Sequence, residues 1–200
     1  MLEREIVLAL REERELEELD ASGEVLTGLD CAGLELRRVA LHKCRFVDCD
    51  FSGAVFEQVR WTGCDFSNCR FGGSVWRQAS VSGCKGDGGQ FTGSRWRDCA
   101  LTDSSLCYAN FSQSRWRNTR LEGCRLRRAV LAQADVSGLL PRRVDFQGAD
   151  FFRTPLKGLD LSDCAIGGLT VSESLWELRG VKLDPAQAVE LMPLLGAELL

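Results

Sequence analysis

Every fifth residue from Leu26 is, with few interruptions, a large apolar one. The line reads Leu26, Cys31, Leu36, Leu41, Phe46, Phe51, Phe56, Trp61, Phe66, Phe71, Trp76 and Val81. Gly86 breaks the apolar run but not the count, which resumes at Phe91 and continues through Trp96, Leu101, Leu106, Phe111, Trp116, Leu121, Leu126, Leu131 and Val136. Pro141 is the second interruption, and Phe146, Phe151, Leu156, Leu161, Ile166, Val171, Trp176 and Val181 complete the series. The register thus holds 32 positions with two exceptions and no insertion. A helix repeats every 3.6 residues and a strand every 2.0, so neither accounts for a period of five. A fixed period instead signals a repeat architecture.

The flanking positions are selective too. Two residues before each apolar position the chain is small and rarely charged, as at Cys44, Cys49, Ala54, Cys64, Cys69, Ser74, Ala79 and Cys84, and eight of the ten cysteines fall there. Two residues after it, 13 repeats carry glycine, including Gly53, Gly63, Gly73, Gly83 and Gly93. Glycine suits the turn position that needs a positive φ. Each unit therefore combines a large inward side chain, a turn and a small inward side chain.

The units "CDFSG" at 49–53, "CDFSN" at 64–68, "ANFSQ" at 109–113 and "ADFFR" at 149–153 resemble the pentapeptide-repeat family, whose consensus is roughly A(D/N)Lxx. The resemblance covers residues 24–183. It implies an all-β fold, a right-handed quadrilateral β-helix in which four units make one coil of 20 residues. About eight coils at ~4.8 Å each give a rod about 40 Å long. The chain then divides into an N-terminal helical cap (1–23), the β-helix (24–183) and a C-terminal helical cap or dimerisation segment (184–200).

Coils of 20 residues explain a second recurrence: "SVWRQ" at Ser74, "SRWRD" at Ser94 and "SRWRN" at Ser114. Residues 20 apart lie on one side of successive coils, so Trp76, Trp96 and Trp116 form an inward ladder. Arg77, Arg97 and Arg117 stack outside it with Arg95 and Arg115 alongside, a candidate interaction face. Asp98 and Glu122 are the acids expected to offset part of its charge.

Both ends need covers, because an open solenoid edge invites aggregation. The first 19 residues read as a helix with Leu2, Ile6, Leu10, Leu16 and Leu19 roughly on one face; "EIVLAL" reads alternatively as a strand. Extending the register backwards places Arg4 and Arg14 inward, so it is not extended. At the other end Asp184 and Pro185 signal a helix start, Pro193 its kink or end, and Gly196 a stop. Val189, Leu191, Met192, Leu194, Leu195, Leu199 and Leu200 are more apolar than a small cap requires. Residues of this segment either fold onto the last coil or, as the resemblance implies, join two copies.

Little in the chain suggests catalysis. His42 is the only histidine and falls at an outward position. The cysteines lack CxxC spacing and histidine partners, which argues against zinc. They read as small buried thiols, with Cys107 outward. "GCKGDGGQ" at 83–90 lacks the Lys-Ser/Thr of a phosphate loop and reads as a slack side of one coil. The residues give no cofactor or metal site, and no apolar stretch is long enough to span a membrane. The acidic start, "MLEREIVLALREERELEELD", does not read as a secretory leader, so a cytoplasmic setting is expected.

Three functions fit: a scaffold binding an unidentified protein, a nucleic-acid binder using the arginines, and the reading implied by the resemblance. Some pentapeptide-repeat proteins resemble B-form DNA in shape and charge, bind DNA gyrase and confer quinolone resistance. Charge disfavours that reading here. Residues 1–25 carry nine acids and three bases, but residues 26–180 carry 17 acids and 21 bases, a net of +4. Asp30, Asp50 and Asp150 share one side, interrupted by Arg70. The first function is therefore the leading one.

Overall fold

The computed structural model describes residues 1–197. From Leu16 the chain winds as a right-handed quadrilateral β-helix in which parallel partners stand 20 positions apart, as Leu16 beside Leu36 and Trp96 beside Trp116. One side, called here the tryptophan side, is a parallel sheet of Leu16–Glu17, Glu35–Arg37, Val55–Glu57, Val75–Arg77, Arg95–Arg97 and Arg115–Arg117, stacked in that order. The next side holds seven strands, from Asp20–Ser22 to Leu139–Arg142. A third continues the pair Val25–Thr27 and Arg45–Val47 through single bridges from Asp65 to Ala165. The fourth is a column of bridges, Asp30, Asp50, Arg70, Gln90, Asn110, Val130, Asp150 and Thr170.

Local chemistry sets the corners. The residue two after each inward apolar position takes a left-handed backbone at Gly53 (φ +70°), but also at Asn68 (φ 59°) and Tyr108 (φ 58°). Glycine is thus the preference there and not a requirement, since isolated αL residues are tolerated where the ladder holds them. The Asp or Asn of the repeat closes the turn: Oδ1 of Asp50, Asn110 and Asp150 accepts the N–H of Ser52, Ser112 and Phe152 at 2.9, 2.9 and 2.8 Å.

The interior is built from columns. Phe51, Phe71, Phe91 and Phe111 stack with ring centroids 5.2, 4.7 and 4.8 Å apart. The "GCKGDGGQ" segment is not slack. It keeps full register, and a Cβ on Gly86 would lie 2.2 Å from Phe66 Cε2 and 2.8 Å from Leu106 Cδ2. Glycine stands there because neighbouring coils fill the space from both sides. Cys44, Cys64 and Cys84 share a column, with the Cys64 N–H donating to Cys84 Sγ at 3.3 Å. All ten cysteines are free thiols; nine are buried and Cys107 is half-buried.

Both ends depart from the sequence reading. The N-terminal helix, α1, spans Leu2–Arg11 and not 1–19, and it buries Leu2, Ile6 and Ala9. The register runs further back than Leu26, with Ala21 and Leu16 buried. Arg14 lies exposed in the connection, so it did not have to point inward. At the far end the register fails after Ile166. Val171 and Val181 are only partly buried, and Trp176, on a short 3-10 helix Trp176–Leu178, is 36% exposed while Glu177 is fully buried. Asp160 bridges Lys182 instead of residue 180. Two residues have therefore been inserted in the last coil.

Helix α2, Pro185–Glu190, has the predicted start: Asp184 accepts from the Gln187 N–H at 2.8 Å, and Gln187 Oε1 accepts from the Asp184 N–H at 2.8 Å. The α-helix ends before Pro193, and Gly196 takes a left-handed conformation at φ +76°. Gln187 also donates to the carbonyls of Leu161 and Cys164, at 2.7 and 2.6 Å, and so fastens α2 to the last coil.

Candidate interaction surface

The three S-x-W-R units do place their tryptophans inward. Trp76, Trp96 and Trp116 stack with centroids 4.4 and 5.0 Å apart and planes tilted by 9° and 5°. The serine two residues earlier has a role that smallness alone did not reveal. Oγ of Ser74, Ser94 and Ser114 accepts the indole N–H of Trp76, Trp96 and Trp116 at 2.9, 2.9 and 2.8 Å. A buried indole needs such a partner. Trp61 has Val59 at that position, and its Nε1 is the one buried side-chain polar atom without a partner among the described residues.

Outside the ladder the strands pair Arg95 with Arg115, and Arg97 with both Arg77 and Arg117. The five arginines line an open groove of about 380 Å³. Two are neutralised. Arg117 bonds Asp135 at 2.6 Å and Ser137 at 2.8 Å, and Arg77 lies 3.6 Å from Glu57. The Arg117 guanidinium holds the Asp135 carboxyl well below the usual carboxylate range, against the opposing effect of burial. Asp98 and Glu122 do not offset this face. Asp98 accepts from Asn118 of its own column at 2.6 Å, and Glu122 from Arg143 at the turn of the next coil at 2.7 Å. Arg95, Arg97 and Arg115 have no acid within ion-pair distance among the described residues.

The same side is acidic at its other end. Glu15, Glu17, Glu35 and Glu57 cluster there, and Arg37 lies 3.9, 4.0 and 3.7 Å from Glu15, Glu17 and Glu57. The aspartate column on the fourth side is crossed by Arg70, whose guanidinium bonds Asp50 at 3.0 Å.

The C-terminal apolar residues split between two tasks. Leu191 is buried and Leu194 packs partly on the core, whereas Val189, Met192 and Leu195 are exposed. Leu199 and Leu200 lie outside the described residues. No described helix is long and apolar enough to cross a membrane.

No curated protein matches the sequence. Among solved structures, full-length QnrB1, a plasmid-mediated fluoroquinolone resistance protein, is similar at a TM-score of 0.53 and 21% identity, over 89% of this chain and 100% of that one. A trypsin-treated QnrB1 variant gives 0.58 and 23%, over 93% and 98%. HetL, a pentapeptide-repeat protein from the cyanobacterium Nostoc, aligns at a TM-score of 0.28 and 17% identity, over 88% and 92%. Two family profiles match the sequence itself: "Pentapeptide repeat region" over residues 54–131, and "Pentapeptide repeats (8 copies)" over 25–58 and 117–151. With contiguous coverage of the central coils and a structure of the same pattern, the chain belongs to the pentapeptide-repeat family.

Proposed function

We propose that the chain is a non-catalytic binding protein whose tryptophan side docks an acidic protein surface through Arg95, Arg97 and Arg115. The observation that carries this is three guanidinium groups without acid partners among the described residues, fixed on two adjacent strands one coil apart. Like charges at ~4.8 Å repel, and an anionic partner relieves that repulsion. A rigid base also reduces the ordering that binding requires. A protein carboxylate surface fits better than a phosphate backbone. A duplex laid along the rod would meet Glu15, Glu17, Glu35 and Glu57 on the same side, and phosphate binding depends on continuous positive charge.

The gyrase reading, which the family resemblance implies, has weaker support. It needs an acidic side, yet Arg70 crosses the aspartate column and the carboxylates of Asp30, Asp50 and Asp150 already accept backbone N–H groups. The free thiols are consistent with a reducing compartment such as the cytoplasm. The exposed Val189, Met192 and Leu195 support a separate contact between copies through the C-terminal segment.

The test is fluorescence anisotropy of labelled polyglutamate and of a labelled DNA duplex at low salt. Polyglutamate should bind, and Arg97→Glu with Arg115→Glu should weaken it at least about tenfold without changing the melting temperature, as two lost charge contacts imply. DNA bound as tightly as polyglutamate, or polyglutamate binding untouched by the double reversal, would count against the proposal.

A further inference from the structure

The acidic half of the tryptophan side has no role in that reading, and its arrangement is not random. Outward positions run, coil by coil, Glu15 and Glu17, Glu35 and Arg37, Val55 and Glu57, Val75 and Arg77, Arg95 and Arg97, Arg115 and Arg117. Consider a second copy turned about a two-fold axis that lies in the contact plane, parallel to the strands and midway between those of Val55 and Val75. The turn reverses the order of the coils and keeps the strand direction. Glu15 then faces Arg115 and Glu35 faces Arg95, the two pairs whose arginines have no acid of their own chain among the described residues. Glu17 faces Arg117 and Glu57 faces Arg77, which already hold Asp135 and Glu57 within the chain while Glu17 holds Arg38, and Val55 faces Val75 near the axis. The single like-charged pair is Arg37 with Arg97, and Arg37 is already surrounded by three glutamates of its own chain.

No neighbouring register does as well. A slide of one coil in one direction sets Glu57 on Glu57 and Arg37 on Arg77. The opposite slide sets Arg77 on Arg77 and Arg37 on Arg117. A two-fold axis along the rod sets Arg95 on Arg97 and Arg115 on Arg117. Isologous contacts require a patch complementary to itself, and only the first arrangement meets that condition here.

We infer that the tryptophan side is a self-complementary surface on which two copies pair face to face, their rods antiparallel. This names a second copy of the chain as an occupant of the basic patch, and rests on that patch being a docking surface. Six strands at ~4.8 Å and two outward residues per strand give a contact smaller than the ~1,200 Å² of stable complexes. The pairing is therefore weak, dominated by charge and sensitive to salt. It also masks Arg95 and Arg115, so self-pairing competes with any other acidic partner.

Sedimentation velocity tests this on the full chain, repeated with Leu195→Glu to silence association through the C-terminal segment. Dimer should be present at low salt and weaken at least about tenfold in high salt, as screened ion pairs do. Glu15→Arg with Glu35→Arg should give monomer, as should Arg95→Glu with Arg115→Glu. An equal mixture of those two variants should restore dimer, because each then offers the charge the other lacks. A monomer at low salt, a dimer indifferent to both reversals, or a mixture that stays monomeric would overturn the inference. If the chain stays monomeric yet still binds polyglutamate through Arg97 and Arg115, only this inference falls. If polyglutamate binding is absent as well, the docking reading falls with it.

Discussion

At the scale of single residues, the fold is decided by what one coil leaves for the next. Phe66 and Gly86 are the sharpest case, because the ring of the one occupies the place where the other would carry a side chain. Phe66→Ala alone should cost about 3–5 kcal/mol. Gly86→Ala alone should cost about 1–3 kcal/mol through overpacking. In the double variant the new methyl enters the space the ring has left, so the combined loss should fall short of the sum by at least about 1 kcal/mol, measured by urea unfolding. Strict additivity would show that the two do not share that space. The inward position of Phe66 was legible, because a period of five leaves only one phase. The reason for Gly86 was not, since it depends on rings 20 residues away on both sides. The serine acceptors of the tryptophan ladder were hidden differently: serine at that position satisfies a rule of smallness, and the hydrogen bond lies behind it.

At the scale of elements, the C-terminal end shows where periodicity misleads. Asp184, Pro185, Pro193 and Gly196 act locally, and the helix they announce is present. Trp176 and Val181 kept the apolar count by coincidence, although two residues had been inserted. What organises this coil is the buried Glu177. Its carboxylate accepts from the N–H groups of Arg153 and Ser172 at 2.9 and 3.1 Å and from Ser172 Oγ at 2.8 Å. Burial would raise its pKa, but these bonds and one from its own backbone outweigh burial and hold it below the ordinary 4.5. A carboxyl so held favours the folded state when ionised. Its stabilisation is complete above about pH 4.5 and is lost as the pH falls through the folded value. Glu177→Gln should thus lower stability by about 1–3 kcal/mol at neutral pH, and the gap should narrow as melting curves are taken below pH 4.5. A gap that stays constant down to pH 3 would remove the charge from the explanation.

At the scale of the whole molecule, one continuous core encloses nearly all the thiols. Burial pushes Cys31 and Cys164 up to about 12 and Cys99 up to about 11, and the thiolate is the form that reacts. Cys49 and Cys84 are instead held low by hydrogen bonds from the neighbouring Cys69 and Cys64 thiols, so their protection rests on burial alone. Iodoacetamide at mildly alkaline pH should add one group quickly, at Cys107, and reach the other nine only as the rod opens; fast labelling at several sites, read by mass spectrometry, would contradict the packing. The rod itself was legible because period and coil length are properties of the chain in order. The polarity of the tryptophan side was not. Net charge sums along the sequence, whereas a side samples it every 20 residues, and Glu15 and Glu17 were counted with an N-terminal segment although they belong to the first coil. The two inserted residues near the end have a consequence best put in the language of crystal growth. The rod is a one-dimensional lattice of 20-residue cells, and a lattice with a clean terminal face keeps adding cells, from its own kind or from a neighbour. Here a dislocation lies just beneath one face and a helix seals it, while α1 seals the other. Both growth faces are poisoned, and that fixes the length of the crystal.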